Sequence, residues 1–562
     1  MRPTALPAAA LATVVVLALA VRLWGIGWQL PWQFHPDEGH YTWKAIDLMS
    51  QDTYNPKYFR NPSLLTYVFL AEYRLLGFQP PKADADAATA DGLWRPPSGV
   101  AFVGRLTSAI LGVLTVLVIG LMGWRAVGPW AGVLGALFLA LAFIHVRDSH
   151  YATNDVPSVF LLTVSVAAAL ALLRGPRLGR YLLAGLLGGL ATSTKYNAGL
   201  FVVPLLVAHG IAVWRAWRGP HAPTPSPASR RGGATSGERG ALVAKLVGPL
   251  ALAGVAALLA YLAGTPYTVL DFPKWLADFR TQASFVDEAW EGQAQLPAGL
   301  PYLLALGTGM GWAMLVAAVV GAVALARSGP ATLAVLAAFP VAYLVFMVRS
   351  DLFFVRFALP AVPFLCLLAG VGVVAVANAL DRRNVAPAGL LAAMLSMSVL
   401  GQTSLDTVRH NQLLGEDDTR VLAARWALAN VGRGSKMAVE EYTIRDRRPR
   451  AYGGPAWQLD TDLLDVNEIK RADPTAPLRG TTRYFMLSSF QGDRFAGGPD
   501  APQRQFYDAL AREGRVVARF SPGTDGTPIP FDLEDLYSPF WSLDRYERPG
   551  PTITVYELPG RP

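Results

Sequence analysis

The chain has 562 residues, of which 52% are hydrophobic and only 16% charged, against roughly 25% charged in ordinary soluble domains, and its mean hydropathy is +0.31. This balance excludes a conventional soluble enzyme and places most of the chain in a bilayer. The net charge is +8, but the basic residues never gather into an aromatic-interleaved patch, so no nucleic-acid partner is expected. A single cysteine, Cys366, lies in an apolar run, which rules out a disulfide framework.

About 20 apolar residues cross the ~30 Å of hydrocarbon in a bilayer. By that measure about eleven segments are expected to span, at roughly 5–27, 100–122, 128–146, 156–173, 181–195, 197–214, 243–264, 300–326, 331–348, 354–378 and 386–404. The first run also fits a signal peptide, with Ala18-Leu19-Ala20 as a small-x-small site. Cytoplasmic loops retain Lys and Arg. Arg125, then Arg174, Arg177 and Arg180, then the stretch from Arg215 to Lys245, then Arg327, and finally Arg382 and Arg383 all fall on one side if the N-terminus is cytoplasmic. The 31–99 loop, the 146–155 turn, the 265–299 loop and everything after about residue 405 then lie outside, in a multi-pass protein of the cell (inner or plasma) membrane.

Within a membrane module spanning 1–404, residues 215–242 form a cytoplasmic linker whose Pro/Ser/Gly/Ala-rich part is expected to be a flexible connector. Residues 79–99 have a similar composition. From 405 to 562 the long apolar runs thin out and charge increases, as in a soluble α/β domain on the outer side. There DDTRVLAARWALANV reads as an amphipathic helix, and KMAVEEY, RYFMLSS, RVVARF and TITVYEL read as strands. The domain holds no metal-spaced Cys/His cluster and no phosphate loop, so it is expected to cover a site or dock a partner.

Polar residues at a membrane edge are costly and tend to serve a function. Asp37 and Glu38 open the first outer loop, and Arg60-Asn61-Pro62 follows in it. Arg147, Asp148, His150 and Asp155 lie between the third and fourth spans, Lys195 and Tyr196 between the fifth and sixth, and Arg349, Asp351 and Arg356 between the ninth and tenth. All are assigned to one face. Carboxylates and cations converging there suit a lipid phosphate, with the acids free to act as base or metal ligands. Taken singly, Asp37-Glu38 also reads as a solvated pair, Arg356 as an interfacial snorkelling residue, and His150 as either a hydrogen-bonded histidine or a ligand of a divalent ion. A transporter or flippase of lipid-linked sugars is the competing class, but it would put charges near the midplane on broken helices. A membrane-anchored binding protein would need only one or two spans.

The order DEGHY, YFRNPSLLTY, RDSHYATNDVPSVFLL, TSTKYNAGLFVVP and FVRFALPAVPFLCLLAG resembles the GT-C superfamily of glycosyltransferases, and within it the bacterial branch related to protein O-mannosyltransferases and the lipid A aminoarabinose transferase. The resemblance covers roughly residues 5–400. It implies a GT-C fold and transfer of a sugar from a polyprenyl-phosphate or polyprenyl-diphosphate carrier to an acceptor lipid, glycan or protein at the non-cytoplasmic face. It also implies that Asp37 is the general base, that Asp155 in A-x-x-D-x-P is a second acid, and that Lys195 approaches the donor phosphate. Where the family commonly has Lys-Pro in the first loop, this chain has Asn61-Pro62 with Arg60 one place earlier. The expected site therefore has Asp37, Glu38 and Asp155 as catalytic carboxylates, and Lys195, Arg356, Arg60 and Tyr196 as phosphate contacts. Glu38, Asp155 and His150 are its candidate ligands for a divalent ion such as Mg, Mn or Zn, and the expected outcome is inversion at the anomeric carbon.

Overall fold

The computed structural model describes the chain apart from residues 1–4, 31, 52, 79–98, 219–235, 286–292, 294–295, 433–434, 444–459, 470, 495–500, 525–528, 530–531 and 561–562. Most of the expected linker and of the 79–99 stretch lies outside the described residues. In chain order the membrane part is built from α1 (Ala5–Leu23), α2 (Glu38–Ser50), α3 (Leu64–Leu75), α4 (Val100–Ala126), α5 (Pro129–Leu141), α6 (Phe143–Asp148), α7 (Asp155–Ala171), α8 (Leu178–Thr192), α9 (Val202–Arg218) and α10 (Ser236–Gly264). The short α11 (Tyr267–Leu270) and α12 (Phe272–Ser284) precede α13 (Leu300–Met310), α14 (Trp312–Ser328), α15 (Pro330–Met347), α16 (Val362–Asp381) and α17 (Ala388–Leu414).

Each of the eleven expected spans falls on helix. Among the described residues, eight helices are long and apolar enough to cross a membrane, a bent pair makes a ninth, and α5 and α8 are shorter apolar helices. Two spans differ from the expectation in shape. The segment expected at 300–326 is two helices, α13 and α14, bent by 104° at Gly311, whose φ of 92° suits a residue without Cβ. The segment expected at 128–146 breaks at Ala142, which is extended (φ −64°, ψ 110°) and separates α5 from α6. A break inside apolar surroundings must satisfy its backbone groups. Thr403 does so, accepting the Phe143 N–H at 2.9 Å while its hydroxyl donates to the Leu141 carbonyl at 3.1 Å, and Thr407 donates to the same carbonyl. Helices pack closely where small residues face one another. A Cβ on Gly185 or Gly189 of α8 would stand 2.1 Å from the carbonyl oxygens of Ala253 and Ala257 on α10.

The C-terminal part contains α18 (Thr419–Asn430), α19 (Ser489–Arg494), α20 (Pro502–Glu513) and a five-stranded sheet. Its strands are β1 (Lys436–Glu440), β2 (Asp460–Leu464), β3 (Tyr484–Ser488), β4 (Arg515–Phe520) and β5 (Ile553–Glu557), in the order β2-β1-β3-β5-β4. β1 is parallel to β2 and β3, while β5 is antiparallel to β3 and β4. The four expected strands and the amphipathic helix are present, the latter capped by Asp418, which accepts the Arg420 N–H at 2.9 Å. β2, DTDLL, was not expected: its two acids break the apolar pattern, which an edge strand tolerates. α17 runs well past residue 404, so the last expected span and the start of the C-terminal part share one helix. Phe540, Leu543 and Tyr546 pack into the same hydrophobic core as Phe143, Ile144 and Phe364, so the C-terminal segment is seated on the helices.

Candidate active site

The site is built at one end of the bundle, where α2 and α7 begin and where the chain leaves α8 and enters α16. After α1 the chain turns through His35-Pro36-Asp37, and the Asp37 N–H donates to His35 Nδ1 at 3.1 Å. Asp37 is the N-cap of α2 but makes no side-chain cap bond. Its carboxylate instead pairs with Arg356, Oδ2 to Nη2 at 2.9 Å, and keeps 30% of its side chain exposed. Arg356 lies in the tight 3-10 turn Val355–Ala361, where Pro360 and then Pro363 lead into α16. Its guanidinium covers the ring of Phe354 at 4.2 Å.

A second ion pair stands beside the first. Asp155, the first residue of α7, pairs with Lys195, which follows α8 in extended conformation. The Lys195 ammonium and the Arg356 guanidinium lie 5.3 and 5.9 Å from the same ring, that of Phe357. Tyr41 of α2 is buried among these charges, and burial first, then Asp37, pushes its phenol well above its ordinary value, so it stays protonated. The rim is polar and aromatic. His40 stacks on Tyr58 at 5.4 Å, Asn61 donates to the Tyr58 hydroxyl at 3.3 Å, and Asn154 donates to Asn61 at 3.4 Å and to the Thr194 carbonyl at 3.0 Å.

Four of the expected residues therefore converge: Asp37, Arg356, Asp155 and Lys195. Glu38 does not join them. It is fully buried beneath α4, where Arg105 holds both its oxygens at 2.7 and 2.8 Å and the Ala152 N–H donates to one of them at 2.9 Å. The 100° that separates consecutive helix residues turns it away from its neighbour. His150 also points elsewhere: its ring nitrogens face the Val146 and Trp24 carbonyls at 2.8 and 3.0 Å, and its ring packs against His410. The candidate metal ligands Glu38, His150 and Asp155 are thus engaged with separate partners, and among the described residues no group of three or more His, Cys, Asp or Glu side chains is placed to hold an ion. The Tyr196 hydroxyl donates to the Phe59 carbonyl at 2.8 Å and accepts from Trp275 at 3.1 Å, which ties the first outer loop to α12. Arg60 is exposed and lies over the ring of Phe285 at 5.5 Å.

Several residues next to the site carried no role in the sequence reading. Arg147, Glu534, Tyr537 and His35 form a buried group behind the Asp37–Arg356 pair. Arg147 was visible as a charge at a span end. Glu534 lies in DLEDLYSPFW, where acids run directly into aromatics, a pattern that points to a buried acidic residue.

A family model described as dolichyl-phosphate-mannose-protein mannosyltransferase (PMT) matches residues 12–224, the stretch that carries Asp37, Asp155 and Lys195. No curated protein sequence matches the chain. The whole fold is similar to that of ArnT from Cupriavidus metallidurans bound to undecaprenyl phosphate, with 15% identity, a TM-score of 0.52 and 98% of each chain covered. It is similar also to apo ArnT from the same organism, at 16% identity and a TM-score of 0.53 over 91% of this chain and 96% of that one. The archaeal oligosaccharyltransferase AglB from Archaeoglobus fulgidus, solved with an inhibitory peptide and a dolichol-phosphate, shares 11% identity and a TM-score of 0.52 over 93% of this chain and 74% of its own. The chain has the GT-C fold, that of membrane glycosyltransferases, as its motifs led us to expect. Its N-terminal stretch is similar to the mannosyltransferase family.

Proposed function

We propose that the protein is an integral membrane glycosyltransferase that moves a sugar from a polyprenyl-(di)phosphate carrier to an acceptor hydroxyl at the extracytoplasmic face, with inversion and with Asp37 as general base. The observation that carries this reading is the convergence of two carboxylate–cation pairs, Asp37–Arg356 and Asp155–Lys195, against one aromatic ring. The orientation rests on Arg125, Arg174 and Arg218, which sit at the far ends of α4, α7 and α9 from the site.

The chemistry follows from what each group can do. An arginine has five N–H donors and a lysine three, so each cation can take up a phosphate oxygen as well as its carboxylate. Donor phosphate competes with Asp37 for Arg356. Withdrawing the guanidinium toward phosphate frees the Asp37 carboxylate to accept a hydrogen bond from the acceptor hydroxyl as the donor arrives. The acceptor oxygen then gives its proton to Asp37 and bonds to the anomeric carbon from the face opposite the phosphate. The carbon–oxygen bond to the carrier breaks with its electrons going to the phosphate, whose developing charge Lys195 and Arg356 stabilise. No step is routed through a metal ion, because Glu38 and His150 are held away from the site and Asp155 is paired with Lys195.

The test is to supply a polyprenyl-phosphate sugar, labelled in the sugar, to the purified chain in nanodiscs with lipid, glycan and protein acceptor fractions. Label should move to one acceptor fraction as free polyprenyl phosphate appears. Translocation of intact donor across sealed proteoliposomes with no transfer to any fraction would replace this reading with the flippase class.

A further inference from the structure

The Asp37–Arg356 pair is reached from behind by one segment of the C-terminal part. Asp532 accepts the Glu534 N–H at 2.8 Å and so starts the short 3-10 turn Leu533–Leu536. That turn carries Glu534 into the membrane module. One of its oxygens, Oε1, accepts the backbone N–H of Val355, the residue before Arg356, at 2.7 Å. The other stands 3.6 Å from Arg147 Nη2 and accepts from the Tyr537 hydroxyl at 3.4 Å. Arg147 in turn donates to the Glu534 and Ser538 carbonyls at 3.0 and 2.9 Å, and its guanidinium lies over the Tyr537 ring at 4.4 Å.

The other half of the pair is touched as well. Tyr537 packs on His35 with ring centroids 4.1 Å apart, and His35 is the residue whose Nδ1 receives the Asp37 N–H. Docking alone would be served by the apolar contacts of Phe540, Leu543 and Tyr546. It would not need a buried carboxylate aimed at a backbone N–H next to Arg356, nor a second contact on the turn that fixes Asp37. A carboxylate taken out of water is costly, and this one is compensated by Arg147 and by the Val355 N–H.

We propose that Glu534 is a positioning residue of the sugar-transfer site, and that through Glu534 and Tyr537 the C-terminal part sets both members of the Asp37–Arg356 pair. The proposal rests on the functional reading above. The segment's state then governs how readily Arg356 is presented to a donor phosphate, so that anything loosening the C-terminal part lowers donor affinity.

The experiment compares Glu534→Ala, Glu534→Gln and Asp532→Ala with the parent chain in nanodiscs. It reads hydrogen exchange of the Val355–Phe357 amides and affinity for a polyprenyl-phosphate sugar. Glu534→Ala should speed exchange at Val355 and weaken donor affinity roughly tenfold, the size of one lost hydrogen bond to a charged group. Glu534→Gln keeps a carbonyl acceptor for Val355 and should restore the slow exchange and most of the affinity. Should Glu534→Ala fail to fold, Asp532→Ala removes the acceptor of the Glu534 N–H and loosens the turn while leaving the glutamate in place, and should show the same two changes more weakly. Folded variants with unchanged Val355 exchange and unchanged donor affinity would overturn the proposal. Faster Val355 exchange in a chain whose parent binds no polyprenyl-phosphate sugar would uphold the brace and overturn the substrate reading instead.

Discussion

Asp37 and Glu38 are adjacent, yet one faces Arg356 with part of its side chain open to solvent and the other is sealed beneath α4 against Arg105. Their chemistry follows from that difference. Glu38 neutralises a fully buried guanidinium that also donates to the Ile26 and Trp28 carbonyls, so it pins the loop after α1 to α4. Removing one partner of such a pair leaves an uncompensated charge, which costs about 3–5 kcal/mol. Glu38→Gln should therefore lower the thermal unfolding midpoint of the chain in nanodiscs, and any loss of activity should track the loss of folded protein. A stable, inactive Glu38→Gln variant would show instead that Glu38 takes part in the reaction. The pair was legible in the sequence as acid at a membrane edge. Which of the two is free to react was not, because that depends on the rotation of α2 against Arg105, a residue 67 positions away along the chain.

At the scale of elements, long apolar runs and clustered strands carry strong patterns, and α1, α4, α7, α16 and β1, β3, β4 and β5 lie where those patterns put them. The breaks at Ala142 and Gly311 had no such signature. Both depend on partners from elsewhere: Thr403 on α17 rescues the backbone at the first, and Gln402 of the same helix accepts the Trp312 N–H at 3.3 Å at the second, where Gly311 alone looks like any other glycine in an apolar run. The break at Ala142 matters for the site, since α6 ends with Arg147 and Asp148. In the sheet, Glu440 ends β1 fully buried and accepts the Ser488 N–H at 2.8 Å and the Tyr507 hydroxyl at 2.7 Å. Burial outweighs those two donors and pushes its carboxyl up to about 8. Because the folded value lies above the unfolded one, the folded form holds the extra proton, so the contribution of Glu440 to stability is fully present below about pH 4.3 and is lost as pH rises through about 8. Protection of the β3 amides against exchange, corrected for intrinsic rate, should decline across that window in the parent chain and stay level in Glu440→Gln. An equal decline in both would remove Glu440 as the cause.

For the molecule as a whole, in the orientation proposed above, the two ion pairs, the C-terminal sheet and the brace between them lie on the extracytoplasmic side. Arg218 and Arg479 are both exposed, on α9 and in the C-terminal part, and the native Cys366 is buried. Cysteines introduced at those two positions should be labelled by an impermeant reagent from the cytoplasmic and the outer side respectively, and labelling of both from one side would overturn the orientation. The central claim, that Asp37 takes the acceptor proton while the cations hold the phosphate, is tested most directly by Asp37→Asn in nanodiscs, with sugar transfer and donor binding measured on the same preparation. The substitution keeps shape and hydrogen bonding but removes the base, so transfer should fall by about 10²–10⁴-fold while donor binding survives or tightens as Arg356 loses its competing carboxylate. Undiminished transfer in that variant would contradict the account.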